Sequence, residues 1–330
     1  MIFVSFLVFC LISLFDFAEI TRKYPISNME ETMFAIKLSF LRAPNTFCEI
    51  LHYIYFTTAT FTLWNLSHSH QITILKASGR SPQQILYPFV CCAFFISILW
   101  LFVLHPLGQL SEKCYNQAID TNANHEINQD IWIDYPKDNQ MIFMSSIANN
   151  NIEGLYIYYS NCDYRIFAKK AKVQKDSWKL HDVTIMKNGT IKNLSDAIVH
   201  NNISNDLIYM LSVHPKKQDI YSLCRVYEIQ TRDKVSLKLY ELELHKLLAN
   251  CVNFILFALI AAVICFPINR YKTKTNIAIE MICTAVVLRF ANNVFESLAR
   301  TGVLPVIPAS WAVVLILLCL SISLLIWNEA

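Results

Sequence analysis

The segment Gln71-Ile-Thr-Ile-Leu-Lys-Ala-Ser-Gly-Arg-Ser81 carries the local pattern that most resembles a working part. Ile72, Ile74 and Leu75, followed by Ala77, suggest a short amphipathic helix, and Gly79 with Pro82 soon after is a stop signal. Gln71, Lys76 and Arg80 add hydrogen-bonding and positive groups. This is equipment for contact with a partner, not for breaking bonds. Bond-breaking chemistry is hard to find elsewhere. The five glycines, at 79, 108, 154, 189 and 302, fit no phosphate-cradling loop, which needs glycine so that backbone N–H groups can point at the anion. ATP hydrolysis by this chain is therefore not expected. The nine histidines are scattered, with no H-x-x-x-H or H-E-x-x-H, and no C-x-x-C occurs. No metal, cofactor or catalytic constellation is expected. Eight of the eleven cysteines, at 10, 48, 91, 92, 251, 265, 283 and 319, lie in apolar runs, where Cys behaves as a small hydrophobe. Cys114, Cys162 and Cys224 lie between those runs and allow at most one bridge, Cys162–Cys224 being the pair to consider. A net charge of +3, without basic runs interleaved with aromatics, gives no reason to expect nucleic acid.

The elements around that segment are those of a membrane protein. Hydrophobic residues make up 55% of the 330 and charged residues 16%, against about 25% charged in a soluble domain. The apolar runs are concentrated at both ends, at about 1–17, 47–66, 86–104, 248–266, 276–294 and 309–327. A spanning helix needs about 20 residues, so the first run suffices only if it continues through Asp16 and Glu19. The second holds Glu49, His52 and several Thr, and reads as a helix of the bundle interior, a role in the transport path being the alternative. Arg289 and Glu296, seven residues apart on the fifth, share a face without direct contact, and pairing with another helix is expected.

The middle of the chain reads differently. Charges of both signs mix, and short runs rich in Ile, Tyr, Val and Trp occupy 130–135, 140–145, 154–160, 164–167 and 178–185. Asn-, Asp- and Gly-rich turns separate them, Asn188-Gly189 being a good hairpin turn. This argues for an antiparallel sandwich or open barrel. Near Gln218 the period becomes helical, with Ile220, Leu223, Cys224 and Tyr227 on one face. A second helical pattern runs without a break into the fourth span. The expected layout is spans one to three in 1–105, a short helix near 68–82 included, then an inserted β domain at 106–217. A helical connector follows at 218–247, and spans four to six occupy 248–330.

With six spans, the loops after spans two and four share a side with the termini. They hold Lys76, Arg80, Arg270, Lys272 and Lys274 and no acids, which assigns them to the cytoplasm. The β domain then lies outside. Arg22, Lys23, Lys37 and Arg42 in the first outer loop run against the rule, and their neighbours Glu19, Glu30 and Glu31 offset this little.

Four local patterns, in order along most of the chain, resemble the LptF/LptG family of permeases. Gln71 to Ser81 is similar to the family's cytoplasmic coupling segment. Trp132, Gly154-Leu-Tyr-Ile-Tyr158, Ala168, Ala171 and Trp178-Lys-Leu-His-Asp-Val183 are similar to the strands of its periplasmic β-jellyroll. The stretch 223–248 resembles its helical connector. Gly302-Val-Leu-Pro-Val-Ile-Pro-Ala-Ser-Trp311 resembles the turn before its last span, and details lean towards LptG.

The resemblance implies an α+β membrane protein of the bacterial inner membrane, six transmembrane helices (3+3) with an inserted periplasmic β-jellyroll-like domain. It implies a permease subunit that extracts lipopolysaccharide or a related glycolipid and passes it to a periplasmic bridge. Partners would be an LptB-like ABC ATPase dimer, an LptF-like (or LptG-like) permease and an LptC-like single-span subunit. Gln71, Ile72, Ile74, Leu75, Lys76, Gly79 and Arg80 would couple to the ATPase. Arg22 and Lys23 would hold lipid phosphates, and Trp132, Tyr156, Tyr158, Trp178 and Leu180 would fill the jellyroll core. Gln71 departs from the family's usual Glu, keeping the hydrogen bond and losing the charge. A protein that transmits force without carrying lipid is the alternative reading.

Overall fold

A computed structural model describes residues 2–23, 28–120, 128–135, 139–148, 151–159, 164–173, 177–187, 190–200, 210, 214–233, 237–265 and 274–329. Helix α1 (Ile2–Lys23) continues through Asp16 and Glu19. Helix α2 (Met29–His68) is 40 residues long and opens with a capping box between Asn28 and Glu31. A short α3 (Gln71–Ala77) follows, then α4 (Pro82–Leu99), which passes through a π turn at Trp100–Leu104 into α5 (His105–Asp120). Strands β1 (Asn128–Tyr135), β2 (Gln140–Ala148), β3 (Asn151–Tyr159), β4 (Tyr164–Val173), β5 (Ser177–Lys187) and β6 (Thr190–His200) come next. The chain ends with α6 (Ile220–Asp233), α7 (Lys238–Cys265), α8 (Lys274–Arg300) and α9 (Val306–Glu329).

Among the described residues, five stretches are long and apolar enough to cross a membrane: Val4–Lys23, Gln83–Ile119, Lys238–Cys265, Thr275–Arg300 and Val306–Ser323. The expected second span, 47–66, is not among these five. It forms the C-terminal half of α2, where Glu49, His52 and the threonines dilute its apolar content.

The chain divides into two compact units, Met1–Ala118 with His245–Ala330, and Ile119–Leu244. In the first, α1, the α4–α5 region and α7 pack against α2, while α9 packs on α7 and α8. The Ser39 hydroxyl donates to the Ser13 carbonyl of α1 at 2.5 Å, and Phe9 meets Phe47 edge-on at 5.8 Å. On another side the Trp100 indole donates to the Cys48 carbonyl at 2.8 Å, and the Tyr55 hydroxyl to the Phe89 carbonyl at 2.6 Å. Gly108 lets α5 come close, since a Cβ there would stand 3.3 Å from the Asn45 Cα. Towards α7, the His52 ring stacks on Phe257 at 5.8 Å and Phe254 stands edge-on at 6.1 Å. The hydroxyls of Thr57, Thr58, Thr60 and Thr62 each donate to the carbonyl four residues back, so their polarity is satisfied inside the helix.

The second unit holds one antiparallel sheet with its strands in sequence order, β1 to β6. This is an up-and-down meander. The crossovers and second sheet of a jellyroll are absent among the described residues, because short connections pair each strand with the next. The ladder is interrupted along one row, at Ser145, Gly154, Lys169, Asp182 and Ser195. Gly154 and Asp182 have positive φ, 63° and 54°. Each central strand therefore turns two consecutive residues outward at that row, with no extra residue on either strand and the register kept across it. Beyond it the inward phase resumes: Ile152 then Leu155 on β3, Ala171 then Ala168 on β4, Leu180 then Val183 on β5, all buried.

That pleat corrects the expected core. Trp178 and Leu180 are buried, but Trp132, Tyr156 and Tyr158 are 63%, 48% and 38% exposed. On β3 the aliphatic Leu155 and Ile157 take the inner face, and alternation sends the intervening tyrosines outward. On α6 the buried stripe is Ile220, Leu223, Val226 and Ile229, while Cys224 and Tyr227 are exposed. Cys224 is a free thiol, and Cys162, its suggested partner, lies outside the described residues.

Candidate functional site

The α2–α4 connection is bracketed at both ends. After α2, His70 adopts φ 57° and redirects the chain into α3. At the other end the N–H of Gly79 donates to the Lys76 carbonyl at 3.0 Å, and that of Arg80 to the Leu75 carbonyl at 3.2 Å. These two bonds make a Schellman motif, which needs a left-handed residue, and Gly79 supplies φ 86°. Ser81 then caps α4. Its hydroxyl accepts from the Gln84 N–H at 3.3 Å, the Gln84 side chain accepts from the Ser81 N–H at 3.2 Å, and Pro82 fills the first turn. Of the residues singled out for coupling, Ile72 is buried at 2% exposure and anchors α3. Ile74 points to solvent at 65% exposure, beside exposed Gln71, Gly79 and Arg80. Leu75 and Lys76 are half-buried. A short rigid helix with an anchored inner face and an aliphatic outer one can transmit a push without fraying.

Arg22 and Lys23, the candidate lipid contacts, end α1 and are exposed. Lys23 is held by Glu19, one turn earlier, at 2.7 Å. Glu19 also accepts from Arg42 of α2 at 3.1 Å, and Asp16, nearly buried, lies 3.8 Å from the same guanidinium. The Arg42 guanidinium stands 5.9 Å from the centre of the Tyr115 ring. This cluster tying α1 to α2 was missed in the sequence. The available signal was the pair Asp16 and Glu19, three apart within an apolar run and so on one helix face.

A second charged group ties α7 to α8. Glu296 pairs with Lys246 and with Arg300, each at 2.8 Å. The pairing of Glu296 with another helix is as expected. Arg289 is exposed on α8.

No curated protein matches the chain. Residues 1–327 match the family described as lipopolysaccharide export system permease LptF/LptG. With the five apolar helices, that match makes the chain a multi-pass membrane protein. It belongs to the LptF/LptG family, whose members are permease subunits of the lipopolysaccharide export system and not themselves ATPases.

Proposed function

We propose that this chain is one half of an inner-membrane ABC transporter, LptG-like in character. It works with an LptF-like permease, an LptB-like ATPase dimer and an LptC-like single-span subunit. Together they draw lipopolysaccharide or a related glycolipid out of the membrane towards a periplasmic bridge. In this reading the second half of α2 is the sixth span, surrounded by other helices, and the sheet unit is periplasmic and receives the lipid as a jellyroll-like cradle. Residues Gln71 to Arg80 are the cytoplasmic contact with the ATPase. Arg22 and Lys23, at the outer end of α1, meet lipid phosphates.

The observation that carries the reading is α3, bracketed by left-handed His70 and Gly79, with Ile72 anchored and Ile74 offered to a partner. ATP-driven closure of the ATPase pushes on Ile74, and the rigid bracket passes the movement to α2 and α4. The test is co-purification in mild detergent of the chain with its partner permease and ATPase. Ile74→Glu changes an exposed residue, so the chain should still purify as a single species while the ATPase is lost from the complex. Full retention of the ATPase by Ile74→Glu removes α3 as the contact. A wild-type chain that purifies alone, with the ATPase soluble and expressed, removes the transporter reading itself.

A further inference from the structure

We propose that the β5–β6 corner of the sheet's inner face is a headgroup site, where Lys187 and Lys192 hold the phosphate of a lipid whose acyl chains lie along the inner rows. This deepens the reading of the sheet as a lipid cradle and rests on it. Ile133, Ile142, Ile157, Ile166 and Ile185 stand in one row across β1 to β5, and Lys192 of β6 ends that row. On the same face, one row nearer the hairpin turns, Tyr159, Tyr164, Lys187 and Thr190 follow one another across β3 to β6. The Tyr159 and Tyr164 rings are 5.3 Å apart, and Lys187 is the next residue in register. Lys187 lies opposite Thr190, two positions before Lys192. The two lysines are therefore diagonal neighbours on one face, with Cβ atoms about 7 Å apart. Their flexible stems can bring both ammonium groups to a single phosphate.

Charge and exposure both select the ligand. Among the described residues, no Asp or Glu stands in any row of the inner face. Lys187 and Lys192 are exposed and form no ion pair among the described residues. Two like charges side by side without an acid repel each other, and an anion between them offsets that cost. The cover over the inner face ends at the same corner. Along the isoleucine row Ile133, Ile142, Ile157 and Ile166 are buried, Ile185 is half-buried and Lys192 is exposed. In the next row Met144, Leu155, Ala168 and Val183 are buried, while Leu194 of β6 is 46% exposed. The face is thus closed over β1 to β4 and opens towards β6. An apolar trough ending in an open, purely cationic corner fits an amphiphile with an anionic head, the trough taking the chain and the lysines the phosphate. A neutral sugar headgroup gains nothing from the lysines, and a bare phosphate gains nothing from the trough.

The test compares two amphiphiles with the same dodecyl chain and different heads. The full chain is purified in dodecyl maltoside, and a minor fraction of dodecyl phosphate is added. Photoreactive benzoylphenylalanine replaces Leu194 at the opening or, as a control, exposed Lys179 on the outer face. After irradiation, mass spectrometry should find dodecyl phosphate adducts at 194 enriched on the order of tenfold over its share of the micelle, with no enrichment at 179. Lys187→Gln with Lys192→Gln should bring the ratio at 194 down to that of the micelle while dodecyl maltoside adducts persist. Lys187→Arg with Lys192→Arg keeps both charges and should keep the enrichment. Inorganic phosphate at the concentration of dodecyl phosphate should not compete. No ATPase or partner permease takes part, so a negative result leaves the transporter reading standing. Equal enrichment at 179 and 194, or no adduct of either amphiphile at 194, overturns the proposal. So does enrichment that survives the Gln variant, is lost in the Arg variant or is abolished by inorganic phosphate, in chains of unchanged circular dichroism.

Discussion

Gly154→Ala tests the kink that sorts the two faces of the sheet. Among the described residues, three glycines have positive φ: Gly79 at 86°, Gly154 at 63° and Gly302 at 77°. At Gly79 and Gly302 an added Cβ meets nothing within 4 Å. Alanine there costs only the left-handed backbone penalty, about 1–2 kcal/mol. At Gly154 the new methyl overlaps the Ser145 hydroxyl and stands 3.2 Å from the Ser145 Cβ. That hydroxyl donates to the Glu153 carbonyl at 2.8 Å. Turning Ser145 aside loses a hydrogen bond of about 1 kcal/mol, and residual overpacking adds about 1–2 kcal/mol. The expected total is about 3–5 kcal/mol, set by the backbone and overpacking ranges together. Ser145→Ala removes the overlapping oxygen, so the double variant should recover about 1–2 kcal/mol relative to the sum of the singles. Pulse proteolysis of the full chain across a urea series, following cleavage within the sheet unit, measures each value. Strict additivity of the two substitutions, or a cost for Gly154→Ala below about 1 kcal/mol, would refute the steric argument.

Arg42→Ala leaves Asp16 and Glu19 facing each other without their shared cation. Because Arg42 keeps 29% of its side chain exposed, the loss should be about 2 kcal/mol, less than for a fully buried pair. Adding Asp16→Asn should restore part of it, read as melting temperature by fluorescence-detected gel filtration. Trp178→Ala should destabilise the sheet unit by about 3–5 kcal/mol while Trp132→Ala costs under about 1 kcal/mol, in the same proteolysis assay. Gly108→Val should push α5 off the Asn45 backbone and cost roughly 2 kcal/mol, whereas Leu107→Val, on the exposed side, should leave the melting temperature nearly unchanged.

The long apolar helices and the strands were legible because each depends on a local period. Residues 276–294 and 309–327 fall inside α8 and α9, and 248–265 of the expected 248–266 inside α7. The stop after α3 was legible too, since Gly79 and Pro82 act through their own backbones. The inner face of the sheet was not. In 154–159 both alternating sets are apolar, Leu155 and Ile157 against Tyr156 and Tyr158, and period two alone cannot choose between them. The phase reset at Gly154 and Asp182 is equally invisible, because it depends on several strands kinking at one row. The pairing of Arg42 was not legible because its partners come from another helix, 23 residues away in the case of Glu19. Trp132 lay outside any contest over core packing once the register of β1 against Phe143 was known, and only the register shows it.

The second half of α2 is where hydropathy and structure part, and the reason bears on mechanism. A helix that meets lipid on its flank must be apolar there, and α9 satisfies this with Leu315, Ile316, Leu320 and Ile322 exposed. A helix enclosed by other helices carries no such requirement. Its polar groups need only internal partners. In α2 the threonines bond their own turns, Tyr55 bonds Phe89, and His52 lies between Phe254 and Phe257. Low hydropathy in 47–66 is therefore what a central helix permits, not evidence that it stays out of the bilayer. The same helix ends at His68, one short turn from α3. Under the proposed coupling, a push at Ile74 would enter a helix on which α1, the α4–α5 region and α7 all pack.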